Sequence, residues 1–276
     1  MLSAVPMCSS DDLLSSRPAP LPRFRQLVTF ALATIVALPA LAVGSFLNVV
    51  ASRVPLRRSI STGRSACMSC SHEIAAYDNI PLVSWVLLRS RCRHCAASIP
   101  WRYPLVELVT AVLVVASFLR FGPTLEALLA SFFCVVLVAV SAIDIEHRIV
   151  PNRIVLPAAV ICLVGQTALD PRPEWVLAAL GASGFLLVAA LVYPGGMGMG
   201  DVKLAFLLGA MLGWTATVAL MIGFLAALLP AVMLWLRYGS KARKIAIPFA
   251  PFLALGAIVA LFAGGTILDA YLGFFG

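Results

Sequence analysis

Apolar residues run along this chain in long blocks, broken by short polar stretches. The blocks fall at about residues 27–50, 104–119, 125–143, 154–169, 175–193, 202–214, 215–236 and 247–275. Most approach the ~20 apolar residues that an α-helix needs to cross a bilayer. The pattern therefore predicts an all-α polytopic membrane protein with about eight transmembrane helices. The 202–214 block is short for a crossing, about 20 Å at 1.5 Å per residue. Its Gly209 and Gly213 form a small-xxx-small pair suited to close helix contact. Residues 51–103 interrupt the pattern and predict a small polar domain. The expected organisation is a polar tail at 1–26, a first helix at 27–50, the insert at 51–103 and a seven-helix membrane domain at 104–276. The tail lacks the short basic start and apolar region of a signal peptide.

Composition sharpens this picture. The 276 residues are 62% hydrophobic and 12% charged, about half the charge of a soluble domain. A large water-soluble core is excluded. The net charge of +8 has a pattern. If residues 51–103 face the cytoplasm, alternation puts 144–153, 194–203 and 237–246 on the same side. Those four stretches hold fifteen of the twenty basic residues, leaving Arg17, Arg23, Arg25, Arg120 and Arg172 opposite. This bias fits the positive-inside rule, and no nucleic-acid partner is implied.

Within the insert, eight arginines face only Glu73 and Asp78. Two C-x-x-C pairs, Cys67 with Cys70 and Cys92 with Cys95, are separated by 21 residues. Each pair makes a turn that can aim two thiolates at one ion, so the spacing predicts a tetrahedral zinc site. Four thiolates close the coordination shell, which makes the metal structural rather than catalytic. Two redox dithiols are the alternative. His94 is expected to be a turn residue. Cys134 and Cys162 lie in apolar blocks and read as core. Cys8 has no apolar run before it and does not read as a lipoprotein site.

Among the carboxylates in or beside the apolar blocks, Glu107, Asp144 and Asp201 stand out, with Asp269 as an interfacial charge. Ionisable groups in membrane segments are costly and mark function by default. Asp201 ends Gly198-Met199-Gly200-Asp201 and follows further glycines at 195 and 196. Such a turn lets an extended peptide approach the backbone closely. Asp144 falls at the same membrane boundary. Two close carboxylates share one proton, so one can activate water while the other protonates the scissile amide. His147 is nearby, but neither G-x-S-x-G nor H-E-x-x-H occurs. Lys203 reads as a snorkelling anchor. A transporter using Asp144 and Asp201 as a proton or cation path is the alternative. Another is a zinc-ribbon assembly factor whose aspartates pair with arginines.

From about residue 38 onward the chain resembles the type IV prepilin peptidases, the G-x-G-D aspartic membrane proteases. The first-span stretch Gly44-Ser45-Phe46-Leu47-Asn48-Val49 with Arg53 and Pro55 carries the likeness. So do the cysteine pairs, Asp78-Asn79-Ile80-Pro81, Ser84-Trp85, and Arg102-Tyr103-Pro104 with Glu107. Asp144 with Pro151-Asn152, then Gly198 to Lys203, and Ile247 to Phe252 complete it. The resemblance implies leader cleavage from type IV prepilins or type II secretion pseudopilins at a bacterial inner membrane. Asp144 and Asp201 would be catalytic, supported by Gly198, Gly200, Lys203, Glu107 and Asn48. The resemblance also implies S-adenosylmethionine-dependent N-methylation of the new terminus. The 22-residue polar start lies outside the shared pattern. Asn152 stands where many relatives have Asp, and Ala250 where Gly is common.

Overall fold

The computed structural model describes residues 22–60, 65–192, 197–239 and 247–275, and all their side chains except those of 22–28 and 275. The polar tail up to residue 21 with Cys8 and Arg17, Arg64, Gly195 and Gly196, and the basic Lys241, Arg243 and Lys244 lie outside the described residues. Among the described residues the fold is helical, with two isolated β-bridges and no strand.

Eight apolar helices make the bundle. They are α1 (Pro22–Arg53), α3 (Arg102–Phe121), α4 (Leu125–His147), α5 (Asn152–Leu169), α6 (Glu174–Val192), α7 (Met199–Leu212), α8 (Ala216–Tyr238) and α9 (Ala250–Phe275). A short α2 (Val83–Leu87) belongs to the insert. Length and hydropathy alone give seven segments able to cross a membrane, because Met199–Tyr238 reads as one 40-residue run. That run is broken by a 3-10 turn at Gly213–Thr215, with Gly213 at φ 57°. Here the chain reverses, as the neighbours on each side demonstrate.

Side-chain contacts fix the direction of each helix. Gln166 Nε2 donates to Met211 O at 2.9 Å, and Lys203 Nζ donates to Asn152 Oδ1 at 2.9 Å, so α5 and α7 run parallel. At Gly209 a methyl group would lie 2.5 Å from Ala179 Cα, and one at Gly213 would meet Trp175, so α6 runs antiparallel to α7. Gly209 therefore supplies the close approach its spacing predicted. On the other side Gly223 meets Leu253 while Gly264 meets Thr215, which makes α8 and α9 antiparallel. In the N-terminal part, Asn48 Nδ2 donates to Tyr103 O at 3.2 Å and Ala40 packs with Ala111 and Val114, so α1 and α3 are antiparallel.

Alternation thus brings the insert, the α4–α5 loop, the start of α7 and the start of α9 to one end of the bundle. The core lies where α4, α5, α7 and α9 meet. Phe133, Leu137, Leu204, Leu207, Leu208 and Leu253 are fully buried there. The hydrophobic effect is weak between helices in lipid, so this interior rests on close van der Waals packing and small residues. Ala205, Ala219, Ala254 and Ala257 supply such contacts.

Candidate active site and metal centre

Asp144 sits in the last turn of α4 and is 5% exposed. The helix ends just beyond it, because Arg148 adopts the left-handed conformation (φ 53°) and donates its backbone N–H to Asp144 O at 2.9 Å. This closes the orphan carbonyl of the final turn. The side chain finds its partner on another element. Ala250 N, at the start of α9, donates to Asp144 Oδ2 at 3.1 Å. A first-turn N–H has no intrahelical acceptor, so α9 supplies an unspent donor to a carboxylate.

Asp201 is the acidic residue in the first turn of α7, half-buried. Its N–H donates to Gly198 O at 3.0 Å, and Gly198 is the N-cap. Asp201 lies within electrostatic reach of the Asp144 carboxylate. Gly200 faces the α4–α5 loop so closely that a Cβ would fall 2.7 Å from Val150 Cβ. The glycine before Asp201 therefore admits the loop that follows Asp144. Lys203 holds Asn152 through the 2.9 Å bond, tying the starts of α5 and α7 together.

Glu107 and Asn48, named with the aspartates as supporting residues, each have a partner of their own. Glu107 is buried in α3, and its Oε2 accepts the Leu82 N–H at 2.8 Å. Asn48 Nδ2 donates to Tyr103 O in the first turn of α3, with a 3.5 Å contact to Gly44 O in its own helix. Glu107 ties the insert to α3, and Asn48 ties α1 to α3. Arg102, at the insert's exit, forms an ion pair with Glu146, two residues beyond Asp144. That pair, Val150 and the Ala250 N–H escape residue-by-residue reading. The one sequence signal is the proline-flanked Pro248-Phe249-Ala250-Pro251, which fixes where α9 begins.

The insert brings its cysteines together. The ligand atoms of Cys67, Cys70, Cys92 and Cys95 all lie within 4.8 Å of one another, and Cys67 Sγ is 3.7 Å from Cys95 Sγ. A tetrahedron with metal–sulfur bonds of about 2.3 Å has edges of about 3.8 Å, so the set fits one ion. The two knuckles match bond for bond. Cys67 N donates to His72 O and Ser71 N to Cys67 O; Cys92 N donates to Ala97 O and Ala96 N to Cys92 O. Ser71 and Ala96 both sit at φ 56°. The repeat is visible in the chain as Ser65–Ile74 and Ser90–Ile99, offset by 25 residues. Backbone N–H groups of Cys70 and Ser69 lower the Cys67 thiol to about 6, which favours the metal-binding thiolate. His94 stacks on His72 with centroids 3.5 Å apart, as a turn residue rather than a ligand. Arg93 grips Asp78 through two bonds of 2.8 and 2.6 Å.

Residues 38–121 match the family model described as the bacterial peptidase A24 N-terminal domain. Residues 131–236 match that of the type IV leader peptidase family. A Burkholderia pseudomallei (strain 1026b) protein called prepilin leader peptidase/N-methyltransferase is 32% identical over 293 residues, covering 94% of each chain. One of the same name from Bacillus subtilis (strain 168) is 33% identical over 242 residues, covering 84% of this chain and 94% of its own. A Myxococcus xanthus (strain DK1622) relative, also so called, is 42% identical over 191 residues. That match spans 66% of this chain and 56% of the relative's length. No solved structure matches.

Proposed function

This chain belongs to the type IV leader peptidase family, and on that premise we propose that it removes the leader from prepilins or pseudopilins at the cytoplasmic membrane face and N-methylates the new terminus. The observation that carries the peptidase reading is the convergence of Asp144 and Asp201 at one end of the bundle. They come from different helices, beside a glycine turn and the unspent N–H of Ala250. The basic bias of that same end supports its cytoplasmic orientation in a bacterial inner membrane.

In this reading the aspartates hold one proton between them and titrate as a unit. Ala250 N–H fixes Asp144 Oδ2 and leaves Oδ1 to face the reaction. The charged member takes a proton from water as the water oxygen bonds to the scissile carbonyl carbon. The protonated member gives its proton toward the amide. The C–N bond then breaks, and the nitrogen leaves protonated. Gly198 keeps its side of Asp201 free of a side chain, and Gly200 admits the loop that carries Val150. Lys203 and Asn152 hold α7 and α5 in register beneath the pair.

Zinc is the metal that suits four converging thiols, and it would be a structural ion. S-adenosylmethionine supplies a methyl group to the new terminal amine when bound. The described residues contain no strand and hence no strand–turn–helix cradle of the dinucleotide type.

The test uses purified protein in detergent, a synthetic prepilin and labelled S-adenosylmethionine. Leader loss in wild type and none in Asp144→Asn or Asp201→Asn, with helicity intact, is the expected result. Normal cleavage by either variant overturns the paired-aspartate mechanism. Label on the trimmed product establishes methylation, and trimmed but unlabelled product removes it from the reading.

A further inference from the structure

The insert carries an apolar surface that its own small core does not use. On α2, Val83, Val86 and Leu87 are 49%, 66% and 75% exposed, while Ser84 is buried. Positions i, i+3 and i+4 share one helix face, so these three form a single apolar ridge. Ile80, just before it, is also exposed. The segment leaves α2 through Arg89 and Arg91, both exposed.

The depth of α2 is fixed by a membrane helix. Leu82, its N-cap, donates its N–H to Glu107 Oε2 at 2.8 Å. Glu107 lies five residues into α3, about 7 Å along the helix axis from Arg102. Helical side chains lean back toward the N-terminus, so Leu82 is held near the level of the first turn of α3. Twenty residues of α3 rise about 30 Å, the thickness of the hydrocarbon layer. The tether therefore places α2 in the headgroup zone, not above it. Ser84 Oγ accepts from Ile80 N and donates to Tyr77 O, which keeps the polar side of α2 turned into the insert. The outer face of α3 carries an apolar surface at the same level. Trp101, Leu105, Leu108 and Val112 form an exposed stripe at helical spacing, with Trp101 at the boundary.

We propose that α2 is an interfacial membrane element, its Val83, Val86 and Leu87 ridge seated among the lipid acyl chains and its Arg89 and Arg91 among the headgroup phosphates. The chemistry is that of an amphipathic segment lying in the bilayer surface, apolar on one side and followed by cations. The insert is then fastened to the membrane twice, through Glu107 and through lipid. Its metal knuckles then stand at a set height above the bilayer.

The experiment places a photoreactive benzoylphenylalanine at Val86, Leu87, Leu108 or Met68 of the full chain in phosphatidylethanolamine–phosphatidylglycerol vesicles. Lipid adducts are then counted by mass spectrometry. Leu108 reports an exposed apolar position on the outer face of α3. Met68, 89% exposed in the first knuckle, reports the insert away from α2. The expected result is adduct yield at Val86 and Leu87 equal to Leu108 and on the order of tenfold above Met68. Adducts at Val86 and Leu87 no higher than at Met68 overturn the proposal. So do cross-links from these positions to a second copy of the chain or to an added prepilin peptide in place of lipid. None of these readings depends on peptidase activity.

Discussion

The insert and the α4–α7–α9 core are built on opposite principles. The core buries Phe133, Leu137, Leu207, Leu208 and Leu253 completely and brings its glycines into backbone contact. Between residues 65 and 101, by contrast, the one buried side chain is Ser84. The insert holds together through four thiols, two matched backbone turns and the Asp78–Arg93 pair. A domain this small cannot bury enough apolar surface to fold on packing alone. The difference teaches which part of the molecule depends on a ligand for its shape and which does not.

Removing the metal is the strongest way to break that contrast. Structural zinc contributes about 10–16 kcal/mol to small domains of this kind. Chelation, or Cys67→Ser with Cys92→Ser, should unfold the insert and leave the bundle helical. Limited proteolysis confined to residues 54–101, with circular dichroism nearly unchanged, checks this. Loss of bundle helicity would show that the two regions fold as one unit. The reverse lesion is Asp201→Asn. It should lower leader cleavage by about 10²–10⁴-fold and leave zinc content at wild type, read by metal analysis on the same sample.

Gly209→Ala sharpens the contrast from the packing side. Its methyl group would fall 2.5 Å from Ala179 Cα, so α6 and α7 must separate. A loss of about 1–3 kcal/mol is expected, seen as a lower unfolding temperature in detergent with unchanged zinc retention. The smallest effect belongs to Asp78→Asn. Hydrogen bonds from Arg93 hold the Asp78 carboxyl below its usual range. A lowered folded value adds stability above the unfolded value of about 3.9 and loses it as pH falls through the folded one. The variant should therefore release metal to a chelator a few-fold faster, by a ratio that stays flat between about pH 6 and 8. A ratio that changes across that range would implicate a different titrating group.

The fold was largely legible because membrane helices announce themselves by length and hydropathy. The eight apolar blocks correspond to eight helices, and Gly209 meets α6 as its small-xxx-small spacing foretold. The reversal at Gly213 was harder to read, since the apolar pattern continues through it without a polar break. In the site, local motifs located Asp144, Asp201 and the four cysteines. What they could not give was partnership at long range. Glu107 and Asn48 stand out in the sequence as polar groups in apolar helices. The fold spends them on Leu82 N–H and Tyr103 O, 25 and 55 residues away along the chain. A carboxylate in a membrane helix signals that something polar must meet it, but not what.

The shortness of α7 has a further consequence. Its far end is level with the start of α6, where Gly213 meets Glu174 and Trp175. Fourteen residues rise about 21 Å, and the nineteen of α6 about 28 Å. The whole shortfall falls at the end that bears Asp201. The α7 end that bears Asp201 therefore stops roughly 7 Å short of the level that α6 reaches. Hydrolysis consumes water, and lipid has none to give. In the proposed reaction, a helix that begins late leaves that reagent room at the Asp201 end.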